Sequence, residues 1–168
     1  MEIITSTDIE TVIKKNSYSI EIGGESEAEL EWALTKSPFS LCDYARDMMQ
    51  SLEFGTLAKS REIRVAKVAL GDLGFIGYPT TAHILEQTPK LGLELLPAEA
   101  GPHARLQDKN QHSGDWYYIA MNPIADRNGY LDVFRLASNE DGLWLDGRWA
   151  SPSNDWDLDD AFVFRLRK

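Results

Sequence analysis

The last third of the chain, residues 116–168, constrains the fold most strongly. It holds four of the five tryptophans and alternates apolar and polar residues in short runs that turn signals separate. This alternation is typical of β-strands. Asn128-Gly129 predicts a hairpin with a type I′ turn, since both central residues of that turn need positive φ. The remaining turns are predicted at Asp141-Gly142 and Asp146-Gly147, and the strands are predicted at Trp116–Met121, Tyr130–Ala137, Leu143–Leu145, Arg148–Ala150 and Ala161–Lys168.

The preceding residues show mainly helical periodicity. Strands are predicted at Tyr18–Ile22, Ile63–Leu70 and Leu93–Leu96, with a further strand at Ala104–Leu106 as a possibility. Helices are predicted at Asp8–Lys15, at Glu25–Lys36, from Ser37-Pro38 to about Leu52, and from Pro79 to about Leu91. The expected fold is therefore α+β. A mainly helical part, residues 1–62, should pack on a core, residues 63–168, whose C-terminal meander is antiparallel, strongly twisted and about four or five strands wide.

Length and composition limit the class of protein. A chain of 168 residues is one domain by length, or one domain plus a small helical extension. No stretch approaches the roughly 20 apolar residues of a membrane helix. The single cysteine, Cys42, excludes an internal disulfide and a multi-cysteine zinc site, and its apolar helix face predicts a buried structural thiol. The N-terminal residues carry no secretory pattern. We expect a cytoplasmic protein without a membrane partner.

The charge balance indicates which partners suit the chain. Seventeen basic residues against 27 acidic ones give a net charge of −10. Because nucleic-acid binding gains its affinity from basic residues on phosphates, the balance argues against that partner. An acidic surface aids solubility or attracts a basic protein. The densest acidic stretches are Glu25–Glu31 and Asp155–Asp160.

Two acidic segments and one glycine-rich loop resemble ligand sites without matching a known pattern. Asp126, Asn128 and Asp132, like residues 155–160, lack the glycine and glutamate of an EF-hand, so no metal or cofactor is predicted, although a weak metal site in the second segment stays an alternative. The Gly71–Gly77 loop precedes Thr80 and Thr81 at a predicted helix start, where phosphate can bind. Its G-x-x-G-x-x-G spacing is neither a P-loop nor a dinucleotide motif, and a tight turn explains it.

Two further sets of residues are candidates for a site. Glu99 and His103, four residues apart and followed by Arg105, have the types needed for acid–base chemistry, but the surrounding Pro-rich segment favours a surface turn. Trp116 and Trp144 have faces on which a ligand could stack, although core packing also explains them. The sequence therefore identifies no catalytic residue. Its candidate ligand-binding residues are Thr80, Thr81, Glu99, His103, Arg105, Trp116 and Trp144.

A run of short motifs resembles an uncharacterised family of small bacterial proteins. The resemblance covers about the last 60% of the chain, from about Leu70. It implies a bacterial context and no mechanism. The motifs are Asp72-Leu73-Gly74-Phe75, Leu91-Gly92-Leu93-Glu94-Leu95, Pro97-Ala98-Glu99, Gly101-Pro102, Arg105-Leu106, Ile119–Ile124, Val133-Phe134, Asp141–Leu145 and Phe162-Val163-Phe164.

Two functions follow as hypotheses. The first is a non-enzymatic binding or regulatory protein with an acidic surface and a protein partner, comparable in charge and size with immunity and antitoxin proteins. The second is a small-ligand-binding protein or enzyme with a pocket between the Gly71–Thr81 loop and the aromatic sheet. The sequence does not give the oligomeric state.

Overall fold

The computed structural model describes residues 5–167. The N-terminal residues Met1–Ile4, where the absence of a leader is predicted, and the predicted last strand residue Lys168 lie outside the described range. Within that range there are five α-helices: α1 Ser6–Lys15, α2 Glu27–Leu34, α3 Asp43–Met49, α4 Thr81–Gln87 and α5 Ala100–Gln107. The nine strands are β1 Ser17–Ile22, β2 Phe39–Leu41, β3 Arg61–Ala69, β4 Leu93–Glu94, β5 Trp116–Ile119, β6 Ile124–Ala125, β7 Leu131–Asn139, β8 Gly142–Trp149 and β9 Ala161–Leu166.

All nine strands of the described chain belong to one mixed sheet. Seven follow the order β1-β3-β9-β5-β7-β8-β2, while β4 pairs with β9 and β6 with β7. The β5–β9 and β2–β8 pairs are parallel, and the others are antiparallel. The α+β class is confirmed, but the predicted antiparallel meander of four or five strands is wrong. It is wrong because β1 and β2, from the N-terminal part, extend both edges of the sheet.

Helices cover both faces of this sheet. Strand alternation places Ile20, Val65 and Leu136 on one face, which α2, α3 and α5 cover. On the other face α4 places Ile84 beside Phe162. Phe162 and Phe164 alternate along the predicted last strand, which predicts that both lie on its buried face; both are buried, and so is Val163 between them. Strand β9 is therefore central and enclosed on both sides. No helix among residues 5–167 has the length and apolarity needed to cross a membrane.

The helices predicted at Asp8–Lys15 and Glu25–Lys36 are present, but α1 begins at Ser6 after the N-cap Thr5, and α2 covers only Glu27–Leu34 after the N-cap Ser26. In α1 the Thr5 hydroxyl accepts from Asp8 N, and the Asp8 carboxylate accepts from Thr5 N. In α2 Ser26 and Glu29 form the same reciprocal pair. Such capping boxes satisfy two backbone donors that a helix start leaves without intrahelical partners.

The helix predicted from Ser37-Pro38 to Leu52 is wrong over its first turn. Phe39–Leu41 instead forms β2, which pairs with Leu143–Leu145 of β8, and the helix begins at Asp43. The Cys42 thiol accepts from Ala45 N at 3.4 Å at this helix start, and burial raises its pKa. The strand forms because the edge of β8 offers backbone partners, which outweigh the local helix signal.

Two glycines were interpreted as turn or break signals and have a different role. Residues 100–107 form α5 rather than a surface turn, and a Cβ on Gly101 would lie 2.4 Å from a Phe134 ring carbon. Strand β8 runs without interruption through Asp146-Gly147, so the predicted turn there is wrong. A Cβ on Gly147 would lie 3.3 Å from the Met48 sulfur and from an Asp132 oxygen. Both glycines allow close packing.

The turn at Asn128-Gly129 differs from the predicted type I′ turn. Gly129 has a φ of 81°, but no residue other than glycine has positive φ in the described chain. The Asp126 carboxylate accepts from Asn128 N and Tyr130 N, and Gly129 N donates to Asp126 O. These bonds define a type I turn followed by a left-handed glycine.

The turn predicts a difference between two neighbouring substitutions. Gly129→Ala should lower the free energy of unfolding by about 1–2 kcal/mol, because only a glycine adopts positive φ without strain. No atom lies within 4 Å of the added Cβ, so the loss comes from the backbone alone. Asn128→Ala should have a much smaller effect. Urea unfolding of both variants tests this. Equal losses of unfolding free energy would instead support the predicted type I′ turn.

Candidate functional site

A groove lies between α2, the β1–α2 loop and α5. Its volume is about 870 Å³. Its walls include Gly23 and Gly24 of the loop, with Leu106 and Gln107 at the end of α5. The loop turns sharply because both glycines have positive φ, about 80°. This turn allows α2 to lie across from α5, and the groove is the space between them.

One face of α2 forms the acidic wall of the groove. Ala28, Glu29, Trp32 and Ala33 line it, and their spacing of three and four residues places them on one side of the helix, while Glu25 extends the wall from the loop just before the N-cap Ser26. The two alanines leave space between the larger side chains. The stretch Glu25–Glu31 was predicted to be acidic, but helical periodicity was not used to separate this face from the others.

Three exposed carboxylates stand at the groove without a basic partner. Glu21, Glu25 and Glu29 form no ion pair with a described residue, and no lysine or arginine is among the residues that line the groove. The other acids of α2 lie on a different face. There Glu31 pairs with Arg46 at 2.8 Å, while burial and then Glu31 raise the pKa of Glu27 to about 7. The groove therefore keeps uncompensated negative charge.

Trp32 provides an apolar surface beside these acids. Its side chain is 64% exposed, which is high for a tryptophan, and the Lys36 ammonium lies 4.5 Å from the ring centroid. An indole face attracts cations through its quadrupole. The tryptophans predicted as ligand-binding residues, Trp116 and Trp144, lie in the C-terminal third, and Trp32 was not among them.

Two predicted site residues, Glu99 and His103, meet at the base of the groove. The prediction that residues 97–105 lack a helix to align them is wrong, because α5 places His103 one turn after Glu99. Nε2 of His103 lies 3.2 Å from Gly23 N, from which it accepts, and 3.5 Å from Oε1 of Glu99. The other carboxylate oxygen accepts from Leu57 N at 2.7 Å. Oε1 is buried and has no hydrogen-bond partner.

This geometry determines which ring nitrogen of His103 carries the proton. Because Nε2 accepts from Gly23 N, the neutral ring carries its proton on Nδ1. Burial lowers the pKa of His103, against the raising effects of Glu99, Glu25 and Glu21. Nε2 therefore fixes the β1–α2 loop and is not free to accept a proton from a ligand. The arrangement supports a structural role in the groove rather than acid–base chemistry at this nitrogen.

Arg105, the third predicted residue of this segment, lies apart from His103. It is fully buried, and its guanidinium donates to the carbonyl oxygens of Ala137, Trp144 and Asp108 and to Oε1 of Gln111. These acceptors lie at 2.6–3.3 Å and leave no side available to a ligand except Nε, which has no partner. Arg105 joins α5 to the β7–β8 hairpin.

The remaining predicted residues lie in two other places. Thr80 caps α4, and the Thr81 hydroxyl accepts from Trp156 Nε1 at 2.8 Å. Between Thr81 and the aromatic sheet the packing leaves only about 10 Å³, the space of one water molecule. Trp116 and Trp144 are neighbours of Ala137 on either side of β7 and share one face of the sheet. The structure thus brings together only Glu99 with His103, Thr80 with Thr81, and Trp116 with Trp144 across Ala137.

The outer edge of β1 is closed by a side chain of α5. Glu21 N donates to Gln107 Oε1 at 2.9 Å, and Gln107 Nε2 donates to Glu21 O at 2.7 Å. The amide thus makes the two hydrogen bonds that a neighbouring strand would make. Gln107 itself is exposed and also lines a second cavity of about 270 Å³, beside Ser19. Nothing in the sequence indicated this contact.

A pair of buried carboxyl groups lies in the segment that resembles a calcium loop. Asp132 is 1% exposed, and one of its oxygens has no partner. Burial, then the Asp126 carboxyl and Asp47, raise the pKa of Asp132 to about 7. Among residues 5–167 no group of three or more His, Cys, Asp or Glu side chains is placed to hold a metal ion. Burial and the neighbouring Asp126 carboxyl instead favour a protonated Asp132.

No protein-family model matches this chain, and no curated protein or solved structure shows significant similarity to it.

His103 provides a test of the groove's geometry. Nitrogen-detected NMR should show Nε2 without a proton near neutral pH and a titration midpoint below the ordinary value of 6.5, because burial disfavours the charged ring. Glu99→Gln should lower the midpoint further by removing the nearest negative charge. A midpoint above 6.5, or one that Glu99→Gln leaves unchanged, would contradict the described contacts.

The buried carboxyl pair predicts an unusual pH dependence. Because the pKa of Asp132 is about 7 when folded against 3.8 when unfolded, folding favours the protonated group. Its contribution to stability is fully present below pH 4 and is lost as pH rises to 7, by up to about 4 kcal/mol. Asp132→Asn keeps a hydrogen-bond donor toward Asp126 and should reduce this loss. Urea unfolding at pH 5 and 8 tests it, with exposed Asp141→Asn as control. Equal pH slopes in wild type and Asp132→Asn would refute a protonated Asp132.

Proposed function

We propose that the protein is a non-enzymatic binding protein that holds a basic, partly apolar segment of a protein partner in the groove between α2 and α5. The observation that carries this proposal is the set of three exposed glutamates without an ion pair at a groove that also has apolar side chains and an exposed tryptophan in its walls. Lysine or arginine side chains would meet the carboxylates, and aliphatic groups would cover Ala28, Leu106 and the Trp32 ring. Negative charge of this kind speeds the association of a positively charged partner and disfavours a negatively charged one.

The wider context of the proposal comes from charge, size and resemblance. A small acidic protein that captures a basic partner in the bacterial cytoplasm acts as immunity and antitoxin proteins do. The small-ligand alternative has less support, because Trp156 fills the space between α4 and the aromatic sheet and leaves about 10 Å³. The groove is also too open to enclose a small molecule on most sides, whereas it can hold a polypeptide segment.

Selection from a random peptide library displayed on phage tests the proposal. Peptides that bind the wild-type protein should be rich in lysine and arginine spaced by aliphatic residues. Their affinity for the double variant Glu21→Gln/Glu25→Gln should fall at least tenfold, because two of the three attractive charges are removed. Neither side chain makes a hydrogen bond on which the fold depends, so the variant should stay folded.

The matched control removes the same charge elsewhere. Asp157→Asn/Asp159→Asn lies in the other acidic stretch, and both residues are exposed. It should keep the affinity within about twofold. Association with the wild type should slow as salt rises from about 0.05 to 0.5 M, since screening shortens the range of the attraction. Selected peptides that are acidic, or equal losses in both double variants, would refute the groove as the binding site.

A further inference from the structure

The open edge of β1 lies directly beside the acidic groove. β1 is the first strand of the sheet order and pairs on one side only, with β3. Glu21 directs its N–H and C=O away from β3, toward Gln107. Since this direction alternates along a strand, Ser19 directs the same groups to the same edge. Glu21 and Gly23 also line the groove, so edge and groove are continuous.

Gln107 occupies the place of a partner's peptide group on this edge. Its side-chain amide has the donor and the acceptor of a peptide group and uses both on Glu21. The side chain is exposed, so a peptide that makes the same two bonds can displace it at little cost in burial. Gln107 lines both the groove and the 270 Å³ cavity beside Ser19. Moving this one side chain would join the two spaces along the strand.

We propose that the partner's basic segment binds as an added β-strand on the edge of β1, pairing with Ser19 and Glu21 in place of Gln107. This inference rests on the proposed function and specifies its binding mode. Backbone hydrogen bonds would supply affinity, as in other cases of strand addition, and alternate side chains would supply specificity. One set of alternate side chains would point to the face of the sheet that α2 and α5 cover, toward Glu25 and Glu29, which explains why these acids lie beside an edge strand. A helical segment in the groove is the competing binding mode.

The probe for this mode is an acetylated and amidated octapeptide of four Lys-Val repeats. Two analogues carry backbone N-methyl groups, one on the lysines and one on the valines. In an added strand only one of these two sets faces β1, so one analogue should lose at least tenfold in affinity while the other stays within about threefold. A helical segment needs both sets of N–H groups and would lose affinity with either analogue. Calorimetry measures the three affinities without altering the protein.

A change in the protein supplies the second measurement. Ser19→Pro removes the outward N–H while leaving the β1–β3 bonds in place, which is where an edge strand tolerates proline. Ser19→Pro should lower the affinity for the octapeptide at least tenfold. Ser19→Ala loses only the hydroxyl contact with Arg64 and should leave the affinity unchanged. Hydrogen exchange at Ser19 and Glu21 in the wild type should slow when the peptide is bound. This readout holds even if the proline variant unfolds.

The outcomes separate the two proposals. Strand addition is overturned while the groove stands if the octapeptide binds, loses affinity in Glu21→Gln/Glu25→Gln, and shows equal effects of both N-methyl analogues with no slowed exchange at Ser19. The proposed function itself fails if the octapeptide does not bind, or if it binds equally well to the groove variant. One affected analogue together with slowed exchange at Ser19 and Glu21 supports strand addition.

Discussion

The position of helix α5 depends on the burial of Arg105. A buried guanidinium is costly unless its N–H groups find acceptors. Here two carbonyl oxygens of the β7–β8 hairpin, one backbone oxygen after α5 and the Gln111 amide accept four hydrogen bonds. Gly101 then permits the helix backbone to contact the Phe134 ring directly. These two constraints fix the height and the rotation of α5 over the sheet.

The groove follows from that fixed helix. With Arg105 directed into the sheet, the side chains of His103 and Gln107 reach the edge of β1, where they bind Gly23 N and the Glu21 backbone. Glu99 at the other end binds Leu57 N, which precedes β3. One helix thus connects the hairpin at one side of the sheet to the edge strand at the other. The acidic face of α2 has a wall opposite it only because α5 is held in this place.

The sequence predicted what depends on local patterns and missed what depends on distant contacts. Helices α1 and α2, strand β3 and the burial of Phe162 follow from spacing and are present, although both helices begin at other residues than predicted. Helix α5 was missed because Gly101-Pro102 reads as a break. Pro102 is in the first turn, where no intrahelical hydrogen bond is lost, and Gly101 is required by a side chain 33 residues away in sequence. Such a requirement leaves no local signal.

The candidate site shows the same division. Glu99 and His103 were singled out by residue type, and they do meet, but their spacing alone could not show that Nε2 would be used on Gly23. The net charge of −10 could not show which acids remain unpaired. On α2, residues of neighbouring elements determine which glutamates form ion pairs. Glu31 is paired with Arg46, which removes one side of the helix from long-range attraction.

The acids beside the groove are one part of this negative charge that no ion pair compensates. Glu21, Glu25 and Glu29 lie together, exposed and unpaired, where the edge strand ends and α2 begins. Strand edges in soluble proteins are usually closed or charged, since an open edge pairs with other chains indiscriminately. Gln107 closes this edge with an exposed side chain, and the carboxylates repel acidic chains. The same two features that prevent unspecific pairing would select a basic strand, because only such a strand gains enough from the carboxylates to displace the Gln107 amide.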